Sequence, residues 1–258
     1  LVMERQCQLV VDWMRVGFIH GVMNTDNTAI SGETIDYGPC AFMDHYSPKV
    51  VFSSIDKLGR YSFANQAPII KWNLSRFAEC LIPLIDKNED TAIKIATEII
   101  DNFEKIYEVK WLNMMRDKLG LFGENTNDKE LINNLLSWME NNKADYTNTF
   151  CYLMNIRINN SEIYNDKIFI NWLDVWKKRS LMNNGSKEKQ LDIMLNVNPS
   201  VIPRNHKVEE ALTSANDDDL KVINKLLSIL DKPYGNQKGI EEYQSPSGNK
   251  DYQTFCGT

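Results

Sequence analysis

The stretch His20-Gly-Val-Met-Asn-Thr-Asp-Asn27 and the tripeptide Asp36-Tyr37-Gly38 hold the residues of this 258-residue chain best suited to chemistry. Asp26, Asn27 and Asp36 carry hard oxygen donors. Mg2+ takes few protein ligands and keeps its other positions for water and phosphate oxygens. One amide and one carboxylate, from Asn27 and Asp36, suit a metal that arrives with a nucleotide. Between them, the run TAISGETID from Thr28 to Asp36 has β-branched residues on both sides of Ser31-Gly32, which predicts a hairpin. A hairpin returns its two ends to one place, so the oxygens of Asn27 and Asp36 are expected to face a common point.

The order of these residues follows the logic of a kinase catalytic loop, where His-x-Asp-x-x-x-x-Asn precedes Asp-Phe-Gly. Asn27 stands seven residues after His20, and Asp36-Tyr37-Gly38 takes the place of Asp-Phe-Gly. The third position departs from the pattern. Val22 stands where a kinase has its catalytic Asp, and a valine cannot accept a proton. Asp26 is the nearest carboxylate able to orient a nucleophile or take its proton. His20 reads as a brace of the loop. Spacing alone leaves a plainer reading open, in which Asp26 and Asn27 are turn residues and Asp36 a cap.

The elements that must position this loop are mostly helical. Met3, Cys7, Val10 and Met14 form an apolar stripe that stops at Gly17, so a helix feeds directly into His20-Gly21. After Pro68 the stripes continue. One runs through Leu74, Phe77, Leu81 and Leu84, with Pro83 kinking or ending it; another runs through Ile93, Ala96, Ile100 and Phe103. Asp128 is expected to cap a helix with Ile132, Leu135 and Met139 on its buried side, and Asp145 to cap the next. Phe169, Trp172, Trp176 and Arg179 share one helix face, and Leu220, Ile223, Leu227 and Leu230 another. The expected domains are a helical lobe over 1–234 and a polar tail over 235–258, loosely held until Tyr252. The residues from Leu1 onward read as a helix already in progress, as in a fragment of a longer protein.

Composition narrows the function classes. With 29 Lys and Arg against 35 Asp and Glu, the formal net charge is -6, which disfavours non-specific binding to nucleic acid. No apolar run approaches the roughly 18 residues of a membrane span. Five cysteines at 7, 40, 80, 151 and 256, with no CxxC pair, disfavour a zinc site or a disulfide scaffold.

HGVMNTDN (20–27), TIDYGPCAFMDHY (34–46), GRYSFANQAPIIKWNL (59–74), RFAECLIPLI (76–85), DYTNTF (145–150), NPSVIPRNHKVEEAL (198–212), KPY (232–234) and YQTFCGT at 252–258 resemble, in order, the runs of the selenoprotein O family. The resemblance covers nearly the whole chain, and HGVMNTDN with IDYGP is its most specific part. It implies a mainly α, protein-kinase-like C-lobe with a small β-hairpin beside the catalytic loop, the N-terminal nucleotide lobe being absent from this stretch. It implies transfer of AMP from ATP to Ser, Thr or Tyr hydroxyls of proteins, with Mg2+ or Mn2+. Carried over by position, Asp26 is the proton acceptor, and Asn27 and Asp36 bind the metal. The family's Gly-rich loop, ATP-binding Lys and further basic contacts have no match here, so the ATP contacts are expected mostly upstream of Leu1. Lys49, Lys57 and Arg60 read as solvated loop charges. Cys256 occupies the place of a family selenocysteine or cysteine, with Cys40 as its candidate redox partner. The resemblance implies a cytoplasmic protein if bacterial, and a mitochondrial one for eukaryotic relatives. The rival readings are a non-catalytic helical binding module and a kinase-like phosphotransferase.

Overall fold

A computed structural model describes residues 1–156, 158–159, 161–182, 186–247 and 252–255. It is mainly helical, with one two-stranded antiparallel sheet, in keeping with a protein-kinase-like C-lobe. In chain order the elements are α1 (Val2–Val16), β1 (Phe18–Ile19), β2 (Ala41–Phe42), α2 (Gln66–Ile85) and α3 (Glu89–Asp101). There follow α4 (Phe103–Lys118), α5 (Asp128–Asn142), α6 (Tyr146–Leu153), α7 (Lys167–Ser180) and α8 (Lys187–Val197). The last are α9 (Asn205–Asn216), α10 (Lys221–Leu230) and the short α11 (Glu241–Gln244). No helix of the described residues is long and apolar enough to cross a membrane.

The end of α1 sets the position of everything that follows it. Gly17 terminates the helix in the left-handed conformation, at φ 75°. A Cβ there would come within 3.2 Å of the Tyr146 ring, so both backbone and space select glycine. The last carbonyls of α1 need donors. The Tyr146 hydroxyl donates to Met14 O at 2.9 Å, and the Lys118 ammonium to Arg15 O at 2.7 Å. Lys118 is 1% exposed, lies 3.8 Å from the Phe150 ring centroid, and has no carboxylate partner among the described residues. Burial, with the nearby Arg15 charge, lowers its pKa well below the usual lysine value. At the other end of α1, Leu1 is the N-cap residue, and its side chain makes no capping hydrogen bond.

The burial of Lys118 has a pH signature. A lysine with a lowered native pKa binds fewer protons folded than unfolded. Stability therefore rises with pH from its native pKa up to the unfolded value of about 10.4. Denaturant unfolding of the wild type is expected to show, below about pH 10.4, a gain in stability with rising pH that Lys118→Met lacks. The same gain in both proteins would rule Lys118 out as its source. From the unfolded thiol value of about 8.5 upward the buried thiols of Cys7, pushed up to about 11, and Cys151, pushed up to about 12, act in the opposite direction. Their stabilisation is lost as unfolded thiols ionise.

The predicted aromatic stripe is observed on α7. Phe169, Trp172, Trp176 and Arg179 are all buried, and the indole N–H groups of Trp172 and Trp176 donate to Leu131 O and Leu119 O. Three expectations change. The small sheet is present, but its strands are β1 and β2, pairing Phe18 with Phe42 and Ile19 with Ala41, and not the flanks of Ser31-Gly32. Asp128 is the first residue of α5 and not its cap; its fully buried carboxylate meets Arg179 at 2.6 Å and Arg116 at 2.8 Å. On α10 the buried residues are Leu226 and Ile229, whereas Leu220 and Leu227 are exposed. The segment after Tyr234 packs onto the lobe: Ile240, Gln244 and Thr254 are buried.

Candidate functional site

The chain between β1 and β2, residues 20–40, forms the site. It contains a single turn of tighter 3-10 helix at Thr25–Asn27 and a turn in which Gly32 N donates to Ala29 O. It has no ladder of its own, so side chains from the surrounding helices supply its hydrogen bonds. His20 is fully buried; its N–H donates to the Gln66 amide oxygen at 3.0 Å, and its Nε2 donates to Ile35 O at 2.7 Å. Gln66 returns its own N–H to Phe18 O, so the start of α2 acts as an extra strand beside β1. Trp13 of α1 donates to the Thr34 hydroxyl at 2.8 Å, and Gln6 donates to Ala29 O. Asn73 of α2 donates to Met23 O and to the Thr28 hydroxyl. The Tyr61 hydroxyl donates to Asn24 Oδ1 at 2.7 Å. Gly21 lets the loop fold back on itself, since a Cβ there would lie 2.6 Å from Pro39 O.

His20 links the two halves of the loop. Its ring contacts Ile35 on one side and the Val22 backbone on the other, and it lies in the field of Asp36. Burial lowers its pKa, against the pull of Ile35, Asp36 and Val22. A neutral imidazole that donates to a backbone carbonyl is a brace, as the sequence suggested.

Asn27 donates its amide N–H to Val22 O at 3.2 Å, which orients the side chain and leaves Oδ1 as a free acceptor. Asp26 and Asp36 are exposed, and neither carboxylate accepts a hydrogen bond or joins an ion pair among the described residues. Asp36 is held at φ 56°, a left-handed conformation that Asp tolerates better than most residues. Hard, few and unspent, these oxygens are of the donor type taken by a divalent cation that keeps water and phosphate ligands. Among the described residues no cluster of three His, Cys, Asp or Glu forms a closed metal cage. When bound, such a cation supplies positive charge against phosphate oxygens.

Leu1, the residue upstream of which most ATP contacts are expected, stands at the N-cap of α1 with its side chain exposed. The first turns of that helix run beside the loop, where Gln6 donates to Ala29 O and Gly32 packs on Arg5.

Gln66, Asn73 and Tyr61 were not singled out from sequence, although their signal is there. Gln66 and Asn73 lie in phase with the buried Ile69, Ile70 and Leu74 of α2, and a polar residue on an apolar face needs a partner. Asn205, in a run with no role legible from sequence, supports the strand that follows the loop, and its neighbour Arg204 bonds Asp44 just beyond that strand. Asn205 pairs with both backbone groups of Phe42, capping the outer edge of β2. Cys40 is a free thiol whose pKa burial raises. Thr254 donates to Pro39 O beside it; Cys256 itself lies outside the described residues.

Comparison with known proteins agrees with the sequence runs. The model of a family described as protein adenylyltransferase SelO matches residues 1–231. The chain is 63% identical over 260 residues to the protein nucleotidyltransferase YdiU of Pelagibacter ubique strain HTCC1062, covering 100% of this chain and 54% of that protein. Against the YdiU proteins of Alcanivorax borkumensis and Nitrosococcus oceani the identities are 50% and 48%, covering 100% of this chain and 54% and 53% of those proteins. The chain thus spans about half the length of the curated relatives it matches.

Proposed function

The chain belongs to the protein adenylyltransferase SelO family, and on that premise we propose that its 20–40 loop is the metal and proton-transfer centre of AMP transfer from ATP to protein hydroxyls. The observation that carries this reading is a braced loop presenting Asp26, Asn27 Oδ1 and Asp36 with no partners among the described residues. Residues that only terminated turns would spend those oxygens on backbone N–H groups.

In the proposed reaction the acceptor hydroxyl loses its proton to the Asp26 carboxylate. Its oxygen forms a bond to the α-phosphorus, the bond from that phosphorus to the oxygen bridging to the β-phosphate breaks, and pyrophosphate leaves. Asn27 and Asp36 hold Mg2+ or Mn2+. The remaining phosphate contacts are assigned to residues of the full-length protein outside this stretch, mostly upstream of Leu1. Val22 supports the reading by leaving a kinase's usual base position empty of carboxylate.

Label transfer in the full-length protein tests the activity. Radiolabel from the α-phosphate of ATP is expected on acceptor protein, and label from the γ-phosphate is not. Transfer of the γ-label alone would make the protein a kinase. Metal binding is testable on the 258 residues themselves. Mn2+ is expected to broaden amide resonances between Asn24 and Gly38 selectively, and Asp36→Ala or Asn27→Ala to reduce that broadening. Equal broadening in the wild type and both variants would remove these two residues from the metal site.

A further inference from the structure

We infer that the acceptor polypeptide docks beside the loop, with a large apolar side chain in a pocket between α1, α2 and the loop and an acidic side chain on Arg60. This rests on the AMP-transfer reading above. The pocket has a volume of about 310 Å3 and is walled by Gln6, Thr25, Thr28, Leu74, Arg76 and Phe77. Thr25 and Thr28 bracket Asp26 and Asn27, so one wall is the turn that bears the proposed base. Apolar groups stand open to water at its rim: Phe77 is 37% exposed and Ile30 61%.

Next to the pocket the Trp72 indole is in contact with two guanidinium groups. Arg60 lies 4.9 Å from its ring centroid and Arg76 5.4 Å. Arg76 is paired with Glu79, whereas the Arg60 guanidinium joins no ion pair among the described residues; only its backbone N–H meets a carboxylate, that of Asp56 at 2.8 Å. Arg60 is exposed, as expected of a loop charge, and is in addition ordered on an aromatic face with its guanidinium outside any ion pair. Two hydrogen bonds fasten this surface to the catalytic loop. Tyr61, adjacent to Arg60, holds Asn24, and Asn73, adjacent to Trp72, holds Met23. A ligand gripped here is therefore fixed relative to Asp26. An apolar cavity, a free guanidinium and a base on one rigid surface match a polypeptide that carries a hydroxyl near both an apolar and an acidic residue.

The test uses the full-length protein with α-labelled ATP and synthetic peptide pools. Each pool holds one serine among Leu and either Asp, Ala or Lys. Peptides with Asp are expected to be used with a KM roughly two- to fivefold lower than peptides with Lys, the range of an exposed ion pair. Arg60→Ala should erase that preference through the acceptor KM, with kcat and the KM for ATP holding. Arg60→Glu should reverse it toward the Lys pool, a gain that misfolding cannot mimic. Phe77→Asp should raise the KM of Leu-containing pools and not that of pools with Leu replaced by Ala. An unaltered preference in the Arg60 variants, or a change that falls on the KM for ATP, overturns the inference. Transfer by wild type without any charge preference overturns it alone. Transfer to acceptor protein but to no pool overturns the inference alone, and α-label on neither protein nor peptide removes the proposed function and the inference with it.

Discussion

Replacing Asp26 with Ala in the full-length protein is expected to lower AMP transfer roughly 10²–10⁴-fold, the contribution of a positioned general base. Stability is expected to hold. The Asp26 side chain is exposed and makes no hydrogen bond or ion pair among the described residues, and such surface substitutions stay within about 0.5 kcal/mol. The neighbouring Val22 cannot take over the proton, and His20 is buried, neutral and committed to Ile35 O. The pairing of a large rate loss with an unchanged melting curve is the signature to seek. Wild-type turnover in the Asp26→Ala protein would take the base role from this residue. A parallel loss of rate and stability would return Asp26 to the plainer reading, a turn residue.

The largest structural effect belongs to Arg204. It is 1% exposed and clamps three segments at once. Its guanidinium meets Asp44 at 2.6 Å, grips Asp145 with both terminal nitrogens at 2.7 and 3.1 Å, and donates to Gln244 O at 2.6 Å. Burial opposes the charge, but Asp145 and Asp44 outweigh it and hold the Arg204 pKa above its usual range. Burial likewise pushes the Asp145 carboxyl up, against the pull of Arg204. Arg204→Met strands two carboxylates and is expected to destabilise the fold by about 3–5 kcal/mol, measured by denaturant unfolding. Adding Asp145→Asn should recover part of that loss, because the damage comes from unpaired charge and Asn can still cap α6. A double variant less stable than Arg204→Met would refute the stranded-charge account. Lysine is a poor replacement, since it cannot make the two-pronged contact with Asp145.

What could be read from sequence follows the range of the interactions. The stop at Gly17, the Asp145 cap and the α7 aromatic face are set by residues within one helix, and all three are observed. Thr28, Ile30, Thr34 and Ile35 read as strands because β-branched residues favour extended backbone. The segment is held instead by side chains up to 45 residues away, His20 and Gln6 on its carbonyls and Trp13 and Asn73 on its threonine hydroxyls, and no local pattern announces them. Asp128 has the composition of a cap but the location of a buried ion-pair hub, because Arg116 and Arg179 converge on it from α4 and α7. Leu220 and Leu227 keep helical spacing, yet the neighbours of α10 cover Leu226 and Ile229 instead. For the loop, Asp26, Asn27 and Asp36 were legible as oxygen donors, while Gln66, Asn73 and Asn205, which hold the loop or its flanking strands, acquire meaning only once the chain has folded around them.

The left-handed backbone at Asp36 has an evolutionary consequence. Only Gly, Asn and Asp occupy that region readily, so Glu, which would keep the charge, meets a backbone penalty. Asn and Gly each lie a single nucleotide change from an Asp codon, and both suit the conformation. Because the Asp36 carboxylate has no bonding partner among the described residues, either change removes the charge while leaving the loop intact. Drift at this position therefore costs the fold little. Selection for stability does not retain the carboxylate; under the proposed metal role, selection for that role does.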